Sequence, residues 1–170
     1  MPTPDVDVAS ILVALESHGV EYVVIGGFAV ELHDVAVPPT RDIDITPERS
    51  AANLERLARA LLDLGARFRL PDGPSDGVVV PGGISAQWLR EMVSVALTTA
   101  AGPVDVNLVP DGTDGFEDLE AGQVELVYEG HAVRVAALAD IIRSKEAAGR
   151  PKDLLVLPAL RAHLSSRGQE

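Results

Sequence analysis

The sequence predicts an α/β (α+β) domain with a C-terminal helical part. Three observations carry this. Helical and strand patterns alternate through residues 1–65. Two later stretches, around residues 92–109 and 124–135, alternate like paired hairpin strands. The end of the chain returns to helical spacing. No repeat, low-complexity stretch or linker interrupts the 170 residues. One domain is therefore expected over 1–170, with residues 1–110 as its motif-bearing core and 111–170 as a hairpin with helices.

The elements follow in order. Val8, Ile11, Leu12 and Leu15 have helical spacing between Val6 and His18, and Gly19 ends that segment. Glu21–Ile25 is rich in β-branched and aromatic residues and reads as a short buried strand. Gly26-Gly27 breaks it, and Phe28–His33 reads as a short helix. Pro38-Pro39 leads rigidly into a strand over Arg41–Thr46. In the next helix Leu54, Leu57, Ala58, Leu61 and Leu62 form the expected apolar stripe. Either Thr46, with Pro47 at the first helical position, or Ser50 caps it, and Gly65 stops it.

The middle of the chain is read as loops over Leu70–Asp76 and around Pro81-Gly-Gly, with a short strand at Val78–Val80 between them. Met92–Thr99 and Val104–Val109 alternate on either side of Ala100–Pro103 and predict a hairpin. Val104, Val106 and Leu108 share one face, and Asp105 and Asn107 lie on the other. Val124–Tyr128 and Ala132–Val135 predict a second hairpin. A helix then begins at Leu138, Ile141 and Ile142 and stops near Gly149. Pro151 starts a last helix through Leu154, Leu155, Leu157 and Leu160, interrupted or restarted at Pro158, and the tail from Ser165 to Glu170 is expected to fray.

Composition narrows the function. The chain is 46% hydrophobic but only 4% aromatic, so its core should be aliphatic. The absence of cysteine removes disulfides and Cys-based zinc sites. No apolar run approaches the roughly 20 residues of a membrane span. With no signal core in Met1–Asp7, the cytoplasm is the expected compartment. A net charge of −12 weighs against a broad nucleic-acid-binding surface, though not against a local basic groove or a metal-mediated contact.

The chemistry centres on acidic residues. On a strand, Asp42 and Asp44 point to one side, with Ile43 and Ile45 on the other. Same-face neighbours lie about 6–7 Å apart at the backbone, within reach of one ion or of two ions about 3.5–4 Å apart. Asp105, in Val-Asp-Val-Asn, offers a third carboxylate from another strand. Such hard oxygen donors suit Mg²⁺ or Mn²⁺. The plain alternative is a solvated acidic strand face. Against it stands the preceding strand–Gly26-Gly27–helix, where backbone N–H groups can approach an anion closely. The dinucleotide glycine fingerprint and the P-loop are both incomplete here.

With these residues together, the chain resembles the polymerase-β-like nucleotidyltransferase superfamily, and more closely its small prokaryotic members related to the AbiEii toxin group. The resemblance rests on the strand–Gly26-Gly27 unit, Thr40-Arg-Asp42-Ile-Asp44-Ile and Asp105. It implies a mixed β-sheet flanked by helices, with the three aspartates clustered at one edge. It implies that Asp42, Asp44 and Asp105 bind two divalent ions and are the catalytic residues, Asp105 also helping to deprotonate an acceptor hydroxyl. Gly26 and Gly27 would hold the phosphates of a nucleoside triphosphate such as ATP, with Thr40 beside them. Lys145 is the candidate for a further phosphate contact, because it continues the apolar face of its helix toward the sheet. It lies in a local basic cluster with Arg143, Arg150 and Lys152, which alternatively are ordinary charges favoured near helix C-termini. The implied reaction moves a nucleoside monophosphate to a hydroxyl of RNA, protein or a small molecule. A cognate antitoxin is a further implied partner. The competing reading is a non-catalytic nucleotide- or partner-binding module of the same fold.

Overall fold

The computed structural model describes residues 6–168. Residues 1–5 of the Met1–Asp7 stretch expected to hold no signal core, and Gln169 and Glu170 of the expected frayed tail, lie outside them. The described residues form a seven-stranded mixed sheet in the order β3-β4-β5-β2-β1-β7-β6, with helices packed against it.

Helix α1 (Val8–Ser17) buries Val8, Ile11, Leu12 and Leu15, and the Asp7 side chain caps its first turn. Strand β1 (Tyr22–Ile25) runs directly into α2 (Gly26–Leu32). Strand β2 (Ile43–Pro47) lies antiparallel to β1, with Ile43 and Ile45 fully buried. It begins two residues later than expected, so Asp42 stands just ahead of the strand, and Pro47 belongs to it.

The cap of α3 (Ala51–Asp63) is therefore Ser50, which accepts from Asn53 N–H. Leu62 is 76% exposed, which removes it from the expected stripe. Counting 3.6 residues per turn, it lies about 140° around the helix from Leu57. The buried face turns instead toward Asn53, Ala60 and Leu64. Asn53 is itself fully buried and ties β1 to β2, donating to the Glu21 and Glu48 carbonyls at 2.9 and 2.8 Å.

Strand β3 (Arg67–Phe68) and helix α4 (Ala86–Met92) stand where no element was expected. The expected strand at Val78–Val80 reduces to one bridge between Val78 and Phe68. The first hairpin is β4 (Ser94–Thr99) with β5 (Gly102–Asn107), and Val104, Val106 and Leu108 face the core. Helix α5 (Phe116–Gly122), also unexpected, precedes the second hairpin, β6 (Val124–Tyr128) and β7 (His131–Val135).

Helix α6 (Leu138–Ala148) ends at left-handed Gly149, and α7 (Pro151–Arg167) begins at Pro151. Two expectations for α7 change. Pro158 does not interrupt it: the helix runs on past this exposed residue. The helix also continues through Ser165 and Ser166 to Arg167. Its packed face carries Leu157 and Leu160, whereas Leu154 and Leu155 are exposed. No helix among the described residues is long and apolar enough to cross a membrane.

Candidate active site

Adjacent strands bring the acidic residues together. Strands β2 and β5 are parallel neighbours, with Asp44 directly opposite Asp105. Asp42 enters from the turn before β2. One carboxylate oxygen from each of the three lies within 4.8 Å of the others. The alternation that buries Ile43, Ile45, Val104 and Val106 on the core side leaves the aspartates on the opposite face. Residues separated by 61 positions in sequence (105 − 44) thus share one position in the sheet.

The glycine pair is packed onto this cluster. Gly26 has φ of +71°, and a methyl group there would approach Asp44 Cγ to 2.9 Å. A methyl group on Gly27 would meet Thr40 Cβ at 3.1 Å. Thr40 donates its hydroxyl to Asp42 Oδ1 at 2.7 Å, and its N–H donates to Glu31 on α2. Gly26 therefore admits the Asp44 carboxylate, and Gly27 admits Thr40, which in turn holds Asp42. No side chain caps the first turn of α2 at these glycines.

Packing three acids together costs free energy. Burial pushes the Asp44 carboxyl up to about 8, and the charges of Asp42 and Asp105 add to the shift. Burial also raises Asp105, with the Arg69 guanidinium pulling the other way and Asp42 adding to the rise. The donor set is all carboxylate, held in a partly buried site with excess negative charge. It fits an oxygen-preferring divalent ion such as Mg²⁺ or Mn²⁺.

The triad opens into a cavity of about 640 Å³. Gly26, Gly27 and Thr40 line one side, and Lys145, Arg150 and Lys152 line the side formed by α6 and α7. Lys145 is not free: its Nζ donates to Asp153 Oδ1 at 3.3 Å. Arg150 Nε donates to the other oxygen at 2.7 Å. Asp153 is fully buried. Burial works to raise its carboxyl, but the Arg150 hydrogen bond and the Lys145 charge outweigh that and hold it below the usual range. Arg143, grouped with these cations in the sequence, turns away to Asp118 and Asp140. Sequence reasoning missed Arg69 and Asp153. Asp153 had a local signal, three residues after Arg150 and eight after Lys145. Arg69 had none, since only the strand order brings it to Asp105.

No family model matches the chain, and no curated protein matches it in sequence. Solved structures do. The lincomycin-bound lincosamide antibiotic adenylyltransferase LnuA aligns with TM-score 0.61 at 17% identity, over 94% of this chain and 99% of that one. ANT(2")-Ia in complex with adenylyl-2"-tobramycin aligns with TM-score 0.58 at 17% identity, over 95% and 88%. An antigenic nucleotidyltransferase-like protein from Paracoccidioides brasiliensis aligns with TM-score 0.50 at 17% identity, over 93% and 78%. The fold is nucleotidyltransferase-like. Nearly all of the chain takes part in that likeness, including α6 and α7, which complete the cavity wall.

Proposed function

We propose that this protein is a metal-dependent nucleotidyltransferase that moves a nucleoside monophosphate from a nucleoside triphosphate to an acceptor hydroxyl. The observation that carries this reading is the convergence of Asp42, Asp44 and Asp105 beside a glycine pair whose first member, Gly26, has a positive φ and no room for a side chain against Asp44. A divalent ion held by these carboxylates would neutralise phosphate charge and help align attacking and leaving oxygens. The protein's own groups do the rest. Gly26 and Gly27 leave backbone room for the β- and γ-phosphates, and Thr40 keeps Asp42 oriented. Lys145 and Lys152 offer positive charge from the opposite wall. The acceptor oxygen forms a bond to the α-phosphorus as the bond from that phosphorus to the bridging oxygen breaks. Pyrophosphate leaves with the electron pair, and Asp105 takes the hydroxyl proton.

A small hydroxylated acceptor suits the site best. The cavity is of small-molecule size, and the −12 charge disfavours an extended RNA track. Antibiotics are the ligands named for two of the structural neighbours. A toxin restrained by an antitoxin, acting on RNA or protein in the cytoplasm, is the narrower reading of the same chemistry. A single catalytic domain over 1–170 is part of the proposal. Incubation with each α-labelled nucleoside triphosphate, Mg²⁺ or Mn²⁺ and a panel of small, RNA and protein acceptors tests it. Transfer should be lost in Asp42→Asn and Asp44→Asn. Absence of transfer with every mixture, together with metal-independent triphosphate binding, would favour the non-catalytic module.

A further inference from the structure

The sheet register brings one more charged residue to the triad. Ile25, Asp44, Asp105 and Ala96 are successive partners across β1, β2, β5 and β4. Arg69 extends this row, its N–H donating to the Ala96 carbonyl at 2.9 Å just beyond β3. Directly opposed residues present their side chains to the same face. Ala96 contributes only a methyl group there, and the Arg69 guanidinium passes it to reach Asp105 Oδ1. The two side chains are 29% and 27% exposed, so this is a partly desolvated pair, stronger than a surface contact.

Among the described residues, it is the one ion pair made by any triad carboxylate. Asp42 has a hydroxyl partner, and Asp44 has no cation paired to it. At ion-pair distance the three acids thus have one cation among the described residues, Lys152 acting on Asp44 and Asp105 only from farther off. A guanidinium held on Asp105 occupies lone pairs that a divalent ion would use, and like charges at that distance repel. We propose that Arg69 is the built-in counter-ion of the triad, a positioning residue that competes with the divalent ion for Asp105 and thereby sets metal affinity. This inference rests on the cation-binding part of the proposed function, not on the identity of the acceptor.

Mn²⁺ titration and thermal unfolding of the whole chain test it, with wild type, Arg69→Gln and Arg69→Lys compared at pH 8. In EDTA, Arg69→Gln should melt about 2–4 °C below wild type, for a loss on the order of one ion pair in a chain of this size. Saturating Mn²⁺ should close that gap. The Mn²⁺ Kd should fall on the order of tenfold, because the binding-competent carboxylate no longer has to be released from the guanidinium. Arg69→Lys keeps the charge without the fork and should fall between, and it carries the comparison if the Gln variant does not fold. An equal Tm loss with and without Mn²⁺, with Kd unchanged or weaker, would make Arg69 a support of the fold and overturn the inference alone. Failure of the wild type itself to bind Mn²⁺ would overturn both the inference and the cation site beneath it.

Discussion

At Gly26 a single added methyl group would obstruct the proposed site. Its positive φ strains any L-residue, and the added carbon would press on the Asp44 carboxyl. Gly26→Ala should therefore lower transfer at least 100-fold, on the scale set by removing a preorganised electrostatic contact. Steady-state kinetics, with circular dichroism to confirm the fold, checks this. Asp44→Asn should separate stability from function. It removes the acid most strongly pushed toward protonation, so the metal-free protein should melt at a higher temperature than wild type at pH 8 while transfer is lost. A lower melting temperature for the variant in EDTA would show that Asp44 is not a source of repulsion.

At the scale of elements, the joint between α6 and α7 is set by Asp153. Replacing it with Asn leaves Lys145 and Arg150 without their anion and should cost about 1–3 kcal/mol, measured by urea unfolding. It should also raise the KM for the triphosphate, since both cations line the cavity. The elements that the sequence made legible were those with enough turns or enough alternation to declare a buried face. Helices α1, α3, α6 and α7 and both hairpins belong to this group. Helices α4 and α5 have seven residues each, too few for a repeating stripe, and unlike α2, of the same length, neither follows a strand broken by a glycine pair. Strand β3 has two and gains its place only by pairing with β4. The triad residues could be named because Asp-Ile-Asp and Val-Asp-Val each carry their own facing. Arg69 could not, because its partner is fixed by strand order alone.

For the whole molecule, the acidic cluster governs how stability depends on pH. The folded protein holds a proton on Asp44 up to about pH 8, whereas an ordinary aspartate releases it near 3.8. Between those values the folded state binds more protons than the unfolded state, so in EDTA this group's contribution fades as pH rises through the window. Asp105 acts in the same direction. His33 acts in the opposite one: burial holds it below its ordinary 6.5, against the hydrogen bond to the Ala136 carbonyl, so its contribution is lost as pH falls. Above pH 6.5 the acids dominate. The metal-free protein should thus lose melting temperature from pH 6.5 to 8, and millimolar Mg²⁺ or Mn²⁺ should flatten that slope. Equilibrium binding of a non-hydrolysable nucleoside triphosphate, with and without Mn²⁺, on wild type and Asp44→Asn addresses the central claim most directly. A metal-coupled nucleotide site requires saturable binding that depends on Mn²⁺ and weakens at least tenfold in the variant, a loss of about 1.4 kcal/mol. Binding that ignores both the metal and the substitution would contradict it.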